Sequence, residues 1–328
     1  MTSFRTELIG KPSPFLLSYS DKLLTIGSCF ADQIGSRLSN AKFTCTVNPS
    51  GTVYNPLSIH RILLWSLGKA SFSEKHVVQH QGIWSHLDFH SRWNSLDQET
   101  LLKELEKLNS AMNLNLTEAS TLMITYGTAW SYRYLETGQL IANCHKLPQQ
   151  KFLKMLLSVQ EITQSFDELL AALLHMNPTL KIILTISPVR HLKDTLELNQ
   201  VSKATLRLAC HELTERYQQV YYFPAYEFMM DDLRDYRFYE KDMIHPNEIA
   251  IDYLWEKFSH TFFSTETRQY LKQYQEIKSA LIHRPYHPEG EAHQKFLNSL
   301  LSKAVTLSQH LPLDEEIQTI QSQLISRS

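Results

Sequence analysis

In the stretch LLTIGSCFADQIGSRL, residues 23–38, an apolar strand stops at Gly27 and a helical pattern follows at once. Four later stretches repeat this scheme of a short apolar run that ends at polar or proline-containing residues. The five predicted strands lie in the stretches 23–30, 43–47, 121–130, 181–190 and 220–228.

Helical patterns fill the intervals between these apolar runs. They occupy residues 57–70, 98–112, 152–176 and 198–217. Strands that alternate with helices need crossover connections, which favour a parallel sheet covered by helices on both faces. We therefore predict an α/β fold, a three-layer α/β/α sandwich with a mainly parallel five-stranded sheet. In such sheets the functional residues lie at the carboxyl ends of the strands.

Two regions depart from this alternation. Residues 72–96 contain the aromatic, histidine-rich segment KHVVQHQGIWSHLDFHSRWNS, which indicates an insertion, with a hairpin as one possible form. From Thr265 onward the pattern becomes polar and helical, with HRPYHPEG as a break between helices. We expect one domain over residues 1–264 and a helical C-terminal extension over residues 265–328 that packs on it.

The composition restricts the class of protein. The chain has 328 residues, 43% hydrophobic and 20% charged, which is typical of a globular protein and excludes wholesale disorder. Its 32 Lys and Arg against 34 Asp and Glu leave a net charge of −2. This balance predicts neither a nucleic-acid partner nor an anionic membrane partner. With only 9 glycines, a glycine-rich phosphate loop is not expected.

The cysteines and the apolar runs bear on location. The 4 cysteines occur without a CxxC pair, which is not the pattern of a zinc ribbon or a disulfide framework. No apolar run approaches the roughly 20 residues of a membrane span. These features predict a soluble cytoplasmic protein with reduced thiols.

The first candidate nucleophile follows Gly27. A strand that turns directly into a helix places Ser28 and Cys29 at the helix N-terminus, where backbone N–H groups and the helix dipole stabilise negative charge. A thiol there is expected to have a lowered pKa, to be partly thiolate near neutral pH and to act as a nucleophile. In the alternative interpretation, Ser28 caps the helix and Cys29 is a small packed residue.

The second candidate pair is Asp242 and His245, in the segment DMIHPN. Their three-residue spacing before a predicted helix brings both side chains within hydrogen-bonding reach. Asp242 would then hold the His245 ring and stabilise its imidazolium form, as the acid does in a nucleophile–His–Asp triad. In the alternative interpretation, Asp242 is a turn residue and His245 is a cap at the surface.

The two ends of the chain together resemble the SGNH, or GDSL, hydrolases, which combine a glycine turn after the first strand with a late D-x-x-H before the last domain helix. Further motifs narrow the resemblance to the GSCFA family, which is similar to that superfamily in fold and whose members are mostly of unproven function. These motifs are IGSCFAD (26–32), VNPSGTVYNPLSI (47–59), YGTAW (126–130), NCHKLP (143–148), SPVRHLKD (187–194) and HRPYHPEGEAHQKF (283–296).

The resemblance implies roles for the first two motifs. An overlay of Gly27-Ser28-Cys29 on the G-D-S signature makes Cys29 the nucleophile. If the family instead retains a serine nucleophile, that nucleophile is Ser28 and the overlay shifts by one residue. We favour Cys29 because this overlay keeps the glycine and the turn, and because it resembles the G-N-C-Q signature of a capsule-biosynthesis acyltransferase family. Gly51 corresponds to the oxyanion glycine of the superfamily, and the Asn48 amide would support it in that role. In the alternative interpretation, the segment NPSG only builds a turn.

The third motif departs from the superfamily pattern. SGNH enzymes present G-x-N-D here, and the Asn donates to the oxyanion, but this chain has Gly127-Thr128-Ala129-Trp130. Loss of one oxyanion donor typically lowers the rate by about 10²–10³. Thr128, Asn48, Asn143 and backbone N–H groups are the candidate replacements, and without one the protein would be weakly active or inactive.

Weaker indications place further polar residues near the site. Asn143 and His145 match a family motif after a predicted hairpin, which indicates either the mouth of the site or a solvated loop. Arg190 follows the fourth strand, where it could meet an acidic or phosphate-bearing group or form a surface ion pair. His90 is a candidate substrate contact through the family resemblance. Because His86 and His90 lack a third ligand, we predict no metal site.

These observations predict acyl chemistry through Cys29 or Ser28 with His245 and Asp242. The substrate would be a small-molecule or glycan ester, with an acetylated sugar as the leading candidate. Its acyl group would pass to water or to a sugar hydroxyl. We predict no resident cofactor, and acyl-CoA is a possible acyl donor for a transferase. The alternative is a carbohydrate- or ligand-binding protein on a degenerate hydrolase fold.

Overall fold

The computed structural model describes residues 6–283 and 285–325, and a parallel sheet of five strands lies at its centre. The strands described are β1 (Lys22–Gly27), β2 (Thr44–Val47), β3 (Val77–His80), β4 (Ile83–His86), β5 (Thr121–Tyr126), β6 (Trp130–Tyr134), β7 (Leu140–Ile141), β8 (Phe152–Leu156), β9 (Lys181–Ile186) and β10 (Val220–Phe223). The central sheet has the order β10-β9-β5-β1-β2. All its pairs are parallel, so the five-stranded sheet predicted from the sequence is confirmed.

Helices cover both faces of this sheet. They are α1 (Cys29–Asn40), α2 (Pro56–Ser66), α3 (Gln98–Glu118), α4 (Val159–Met176), α5 (Thr195–Arg216), α6 (Ala225–Glu227), α7 (Glu248–Phe262), α8 (Thr265–Ile282), α9 (Glu291–Leu307) and α10 (Asp314–Gln323). None of the helices within the described ranges is both long enough and apolar enough to cross a membrane.

Alternate residues of β5 enter two separate apolar cores, as the period of a strand dictates. Leu122 and Ile124 pack against α2, α3, α4 and α5, whereas Met123 packs against α1 and α7. The sheet therefore lies between two helical layers. This arrangement confirms the predicted three-layer α/β/α sandwich.

The register of the sheet aligns the loops at its carboxyl edge. Gly27 of β1 pairs with Thr125 of β5, and Thr125 pairs with Thr185 of β9. The loops that follow these three adjacent strands therefore begin at one level. Residues far apart in sequence meet at this edge.

Residues 72–96 contain an antiparallel hairpin of β3 and β4, the form that the sequence analysis named as possible for this insertion. The structure differs from the sequence prediction in the segment that follows β5, where β6, β7 and β8 form a separate three-stranded antiparallel sheet. The prediction of one helix over residues 152–176 was wrong at its start, because 152–156 pair with β6 as strand β8. The helix begins only at Val159, where Ser158 and Glu161 form a capping box.

The three C-terminal helices form a core of their own and contact the sheet domain at one corner. The rings of Tyr19 and Phe43 stack at 4.3 Å between centroids, and Phe43 stacks on Phe263 at 4.8 Å. Lys42 lies 2.8 Å from Glu316 of α10. This corner precedes β1 and β2, so the C-terminal helices pack near the amino edge of the sheet.

Candidate active site

The turn after β1 is built on Gly27. Its φ of +130° is readily adopted only by glycine, and a Cβ here would lie 2.1 Å from the carbonyl oxygen of Thr125 on the neighbouring strand. The next N–H, that of Ser28, donates to the same carbonyl at 3.0 Å. This close approach lets α1 begin at Cys29 directly after the strand.

Ser28 and Cys29 occupy different environments at this turn. Ser28 is the N-cap of α1, and its fully buried Oγ accepts a hydrogen bond from the N–H of Phe30 at 3.4 Å. Cys29 is the first helical residue and is partly exposed. A substrate can therefore reach the sulfur more readily than the serine oxygen, which is engaged in capping.

The electrostatics of Cys29 differ from the expectation. Burial raises the pKa of the thiol above its ordinary value, and the negative charge of Asp32 raises it further. The ammonium of Lys203 and the N–H groups of Cys29 and Phe30 lower this pKa, but they do not outweigh burial. The prediction of a lowered pKa for Cys29 was wrong. It considered the helix N-terminus but neither the burial of the thiol nor the carboxylate of Asp32 in the first turn of α1.

Asn48, in the loop after β2, clamps the turn that presents Cys29. Its Oδ1 accepts from the N–H of Gly27 at 3.1 Å. Its Nδ2 donates to the Gly27 carbonyl at 3.3 Å and to Asp32 at 3.0 Å. Because Asn48 is fully buried and both amide hydrogens are engaged, it holds the turn rather than offering a free donor to an oxyanion.

Gly51 closes a turn with Asn48 and borders the insertion. Its N–H donates to the Asn48 carbonyl at 2.9 Å, and its φ is +77°. A Cβ on Gly51 would come within 2.6 Å of the Cβ of His90. Burial and Arg92 lower the pKa of His90, while Asp32 raises it. The structure thus places His90 beside this turn, with the Gly51 N–H already bonded.

The loop after β5 has its polar groups engaged within the protein. The N–H groups of Gly127 and Thr128 both donate to the Tyr54 carbonyl, at 2.8 and 3.1 Å. The Thr128 hydroxyl lies 3.0 Å from the Ser202 hydroxyl and accepts from the N–H of Trp130 at 3.1 Å. Thr128 keeps its hydroxyl hydrogen for another acceptor when the Ser202 hydroxyl is the donor of their shared bond, and loses it when Thr128 is the donor.

Asp242 and His245 meet as their spacing predicted. One carboxylate oxygen of Asp242 lies 2.7 Å from Nδ1 of His245, and the other accepts from the N–H groups of Ile244 and His245 at 2.8 and 3.0 Å. These hydrogen bonds lower the pKa of Asp242 to about 2, and the bond from the His245 ring has the largest effect. Because Nδ1 faces an ionised carboxylate, Nε2 is the nitrogen left for proton transfer.

Arg190 holds the loop that carries this pair. Its guanidinium donates to the Met243 carbonyl, and its N–H donates to the Ile244 carbonyl at 3.3 Å. The guanidinium also lies over the Tyr239 ring at 4.1 Å, and the residue is 8% exposed. Backbone carbonyls therefore take the place of the acidic partner that the sequence analysis considered, and Arg190 makes no ion pair with a described residue.

Asn143 and His145 lie against the insertion. Oδ1 of Asn143 accepts from the N–H of His145, whose φ is 43°. Nε2 of His145 lies 3.0 Å from the His86 carbonyl and 3.1 Å from the Phe89 carbonyl. Burial lowers the pKa of His145, which favours a neutral ring with one N–H shared between these carbonyls. The two residues join the loop after β7 to the insertion.

Three buried polar side chains of α5 also face this edge, and the sequence analysis missed them. They are Asn199, Ser202 and Lys203. Asn199 accepts from the N–H of His191 at 3.0 Å. Nζ of Lys203 donates to the carbonyls of Gly127 and Ser187 at 2.8 and 2.7 Å. The signal that could have found them is polar residues at i, i+3 and i+4, on one face of a predicted helix.

Cys29 and His245 share one neighbourhood at the carboxyl edge of the sheet. Tyr54 interacts electrostatically with Cys29, and its ring meets that of His191 edge-on at 5.6 Å between centroids. His191 in turn interacts electrostatically with His245. Among the hydrogen bonds of the described residues, none joins the Cys29 thiol to the His245 ring directly.

A doubly wound sheet carries a Gly-Ser-Cys turn after its first strand and an Asp–His pair before its last domain helix, and the protein is a three-layer α/β/α sandwich. The model of the GSCFA family matches residues 22–258, and that of the GSCFA domain protein, C-terminal domain, matches residues 274–326. The chain belongs to the GSCFA family, which confirms the resemblance seen in its motifs.

Two solved structures show a distant similarity to this chain. The Clostridium thermocellum family 3 carbohydrate esterase is 11% identical over 77% of this chain and 97% of that chain, with a TM-score of 0.32. A carbohydrate esterase family 3 from Talaromyces cellulolyticus is 11% identical over 77% and 98%, with a TM-score of 0.35. A comparison with curated proteins yields no match.

Proposed function

We propose that this protein is an acyl-transfer enzyme that acts on a small O-acyl ester through Cys29, His245 and Asp242. The observation that carries the proposal is the Asp242–His245 pair, which shares an edge of the sheet with a partly exposed thiol. The carboxylate accepts from Nδ1 and keeps Nε2 for proton transfer. A base oriented by an acid beside a nucleophile is the arrangement of acyl-transfer triads.

In the proposed reaction, Nε2 of His245 takes the thiol proton as the sulfur of Cys29 attacks the ester carbonyl carbon. A C–S bond forms, and the tetrahedral intermediate expels the alcohol oxygen, which takes the proton from His245. Water or a second hydroxyl then attacks the thioester, its C–S bond breaks and the sulfur regains a proton. Nε2 must approach the sulfur, and such hydrogen bonds are often long in unliganded sites and tighten in the substrate complex.

The raised pKa of Cys29 favours this general-base route over a preformed thiolate. A thiol that is mostly protonated near neutral pH needs a base to take its proton as it attacks. His245 supplies that base in the proposal. A thiol with a raised pKa and an imidazole oriented by Asp242 are therefore complementary.

An O-acetylated sugar is the substrate class that we propose. Trp93 supports it, because its indole N–H donates to the Ser50 carbonyl at 3.0 Å and sets a half-buried aromatic ring beside the turn at Gly51. Such a ring offers an apolar face to the C–H groups of a sugar. With water as acceptor the protein is an esterase, and with acyl-CoA as donor and a sugar hydroxyl as acceptor it is a transferase. A cytoplasmic location, which we also propose, suits glycan precursors before export.

A binding protein on a degenerate hydrolase fold is the second candidate, and one observation favours it. The N–H groups of Gly51, Gly127 and Thr128 and both amide hydrogens of Asn48 donate to acceptors within the protein. While these particular donors remain engaged, they cannot stabilise a tetrahedral intermediate. A binding protein of this kind has the same fold and binds the same class of molecule, but it does not catalyse acyl transfer.

Turnover of p-nitrophenyl acetate by the wild type and by variants tests the proposal. C29A should abolish turnover and H245A should lower it by about 10²–10⁴-fold, because nucleophile and base are lost. S28A should retain turnover with a stability loss of about 1 kcal/mol, since it removes a cap. Cys45→Ala is the matched control, because Cys45 is also a partly exposed free cysteine. Background turnover in every form, the wild type included, would favour the binding protein.

A further inference from the structure

His90 carries a hydrogen-bond donor that the proposed reaction leaves unused. Its Nδ1 accepts from the N–H of Arg92 at 3.2 Å, because His90 caps the short 3₁₀ helix Ser91–Trp93. A neutral imidazole that accepts at Nδ1 carries its proton on Nε2. No other described residue forms a hydrogen bond with that Nε2–H, and the side chain is partly exposed. A bound molecule can therefore use this donor.

The surroundings of His90 favour its neutral form. Burial lowers the pKa of the ring, and the positive charge of Arg92 lowers it further. These two effects outweigh the carboxylate of Asp32, which raises the pKa. The ring is therefore neutral near pH 7, with Nδ1 as the acceptor and Nε2 as the donor.

Two side chains close to His90 fasten its segment to the loop after β2. The Arg92 guanidinium and the Trp93 indole donate to the two carbonyls that precede Gly51, the indole at 3.0 Å. A Cβ added to Gly51 would come within 2.6 Å of the Cβ and 3.1 Å of the Nδ1 of His90. The imidazole therefore packs directly on the turn at Gly51.

The same loop contacts the helix turn that presents Cys29. Thr52, the residue after Gly51, donates from its hydroxyl to the Asp32 carboxylate at 3.4 Å. Asp32 follows Cys29 by three residues, and this spacing places both on one face of α1. The thiol and the His90 ring therefore lie on either side of one short loop.

We propose that His90 is a catalytic residue whose Nε2–H donates to the oxygen of the ester carbonyl as negative charge develops on it. The inference rests on the proposed function, because it takes Cys29 as the attacking group. A donor aimed at a developing oxyanion stabilises the transition state more than the ester. His90 supplies such a donor where those of Asn48, Gly51 and Gly127 are engaged within the protein.

Turnover of p-nitrophenyl acetate by His90 variants, separated into kcat and KM, tests this role. His90→Ser keeps a side-chain oxygen that can cap the Arg92 N–H but removes the long donor. Its kcat should fall by about 10²–10³-fold with little change in KM. His90→Gln offers an amide N–H at a similar reach and should regain part of kcat. His80→Ser is the matched control, because His80 is also a partly exposed histidine of the insertion, at the end of β3.

Alkylation of Cys29 by iodoacetamide, followed by peptide mapping, distinguishes this role from a structural one. The sulfur displaces iodide and no oxyanion forms, so H90S should react at the rate of the wild type. A lower kcat with an unchanged alkylation rate supports the role of His90. An equal fall in both rates means that the variant only disturbs the turn, and it overturns the proposal. A kcat in H90S equal to that of the wild type overturns it as well.

Trifluoroacetone separates the role of His90 from the proposed function, because a thiol adds reversibly to this ketone and leaves a tetrahedral oxyanion. Its Kd, measured by fluorine NMR, should rise by about 10²–10³-fold in H90S. If the wild type shows no turnover but binds the ketone through Cys29 and H90S weakens that adduct, the proposed function fails and the donor role stands.

The opposite result is equally clear. If turnover depends on Cys29 while H90S alters neither kcat nor the Kd of the ketone, the proposed function stands and the role of His90 fails. Neither turnover nor a ketone adduct in the wild type overturns both.

Discussion

At the scale of single residues, the presentation of Cys29 depends on one glycine. Gly27 combines a φ of +130° with an approach to the Thr125 carbonyl that leaves no room for a Cβ. The obstructing atom belongs to the backbone of a central strand. No side-chain rearrangement can therefore relieve the contact.

Replacement Gly27→Ala should lower the free energy of unfolding by more than about 3 kcal/mol, because strain at a positive φ adds to a backbone clash. Urea denaturation measures this change. Gly138→Ala is the control, since Gly138 has a φ of +67° and no heavy atom within 4 Å of its added Cβ. The control should lose only about 1 kcal/mol. Equal losses in the two variants would contradict the role given to the Thr125 carbonyl.

The sequence predicted the local part of the site and missed the non-local part. Asp242 and His245 are three residues apart, so their spacing alone indicates a contact. The raised pKa of Cys29 and the bonds of Arg190 to a loop more than fifty residues away depend on tertiary packing. The hydrogen bonds of Lys203 to the Gly127 and Ser187 carbonyls likewise depend on strand register, which the sequence pattern does not give.

At the scale of secondary-structure elements, a buried histidine fixes α2 to its neighbours. Nδ1 of His60 lies 2.9 Å from the Ser165 hydroxyl of α4, and Nε2 lies 2.7 Å from the Tyr126 hydroxyl of β5. Burial lowers the pKa of His60 to about 3. The neutral ring therefore bridges the sheet and two helices.

This bridge should make stability depend on pH. The unfolded chain binds a proton at His60 below about pH 6.5, whereas the folded chain excludes it until about pH 3. The contribution of His60 is thus complete above the unfolded value and declines by about 1 kcal/mol per unit as the pH falls between the two values. His60→Gln should show a shallower decline in urea denaturation across this range. The exposed His175, changed to Gln, should behave as the wild type; a common slope for all three proteins would refute the assignment.

Elements with a local sequence pattern were predicted well. A segment whose conformation depends on pairing with another strand was predicted poorly. The five central strands were predicted from short local runs, and β1, β5 and β9 are apolar and almost entirely buried. The segment 152–156 fits a helix equally well by periodicity, but it pairs along its whole length with β6. The hydrogen bonds of that ladder determine its conformation, and β6 lies about twenty residues earlier in the chain.

At the scale of the whole molecule, the C-terminal helices and the candidate site lie at opposite edges of the sheet. Lys42 and Glu316 join the corner before β2 to α10, and their side chains are only 17% and 13% exposed. Tyr19, which stacks on Phe43, also packs against the core of the C-terminal helices and extends this contact. The helices therefore stabilise the amino edge without lining the site.

A double-mutant cycle on Lys42→Ala and Glu316→Ala should give a coupling energy of about 1 kcal/mol, since this pair is largely shielded from solvent. The exposed pair Lys103 and Glu99 is the matched control and should give about 0.3 kcal/mol. Urea denaturation of the four proteins in each cycle provides the values. A coupling no larger than that of the control would show that the corner contact is incidental.

The shared hydrogen bond of His145 has a consequence for substrate selection. Its ring joins the loop after β7 to the carbonyls of His86 and Phe89, and the same insertion presses His90 onto Gly51 beside the nucleophile turn. Segments fastened to each other in this way hold His90 and the turn at Gly51 in a fixed relative position. If the proposed function is correct, this fixed border beside Cys29 would favour small esters over bulky polymers.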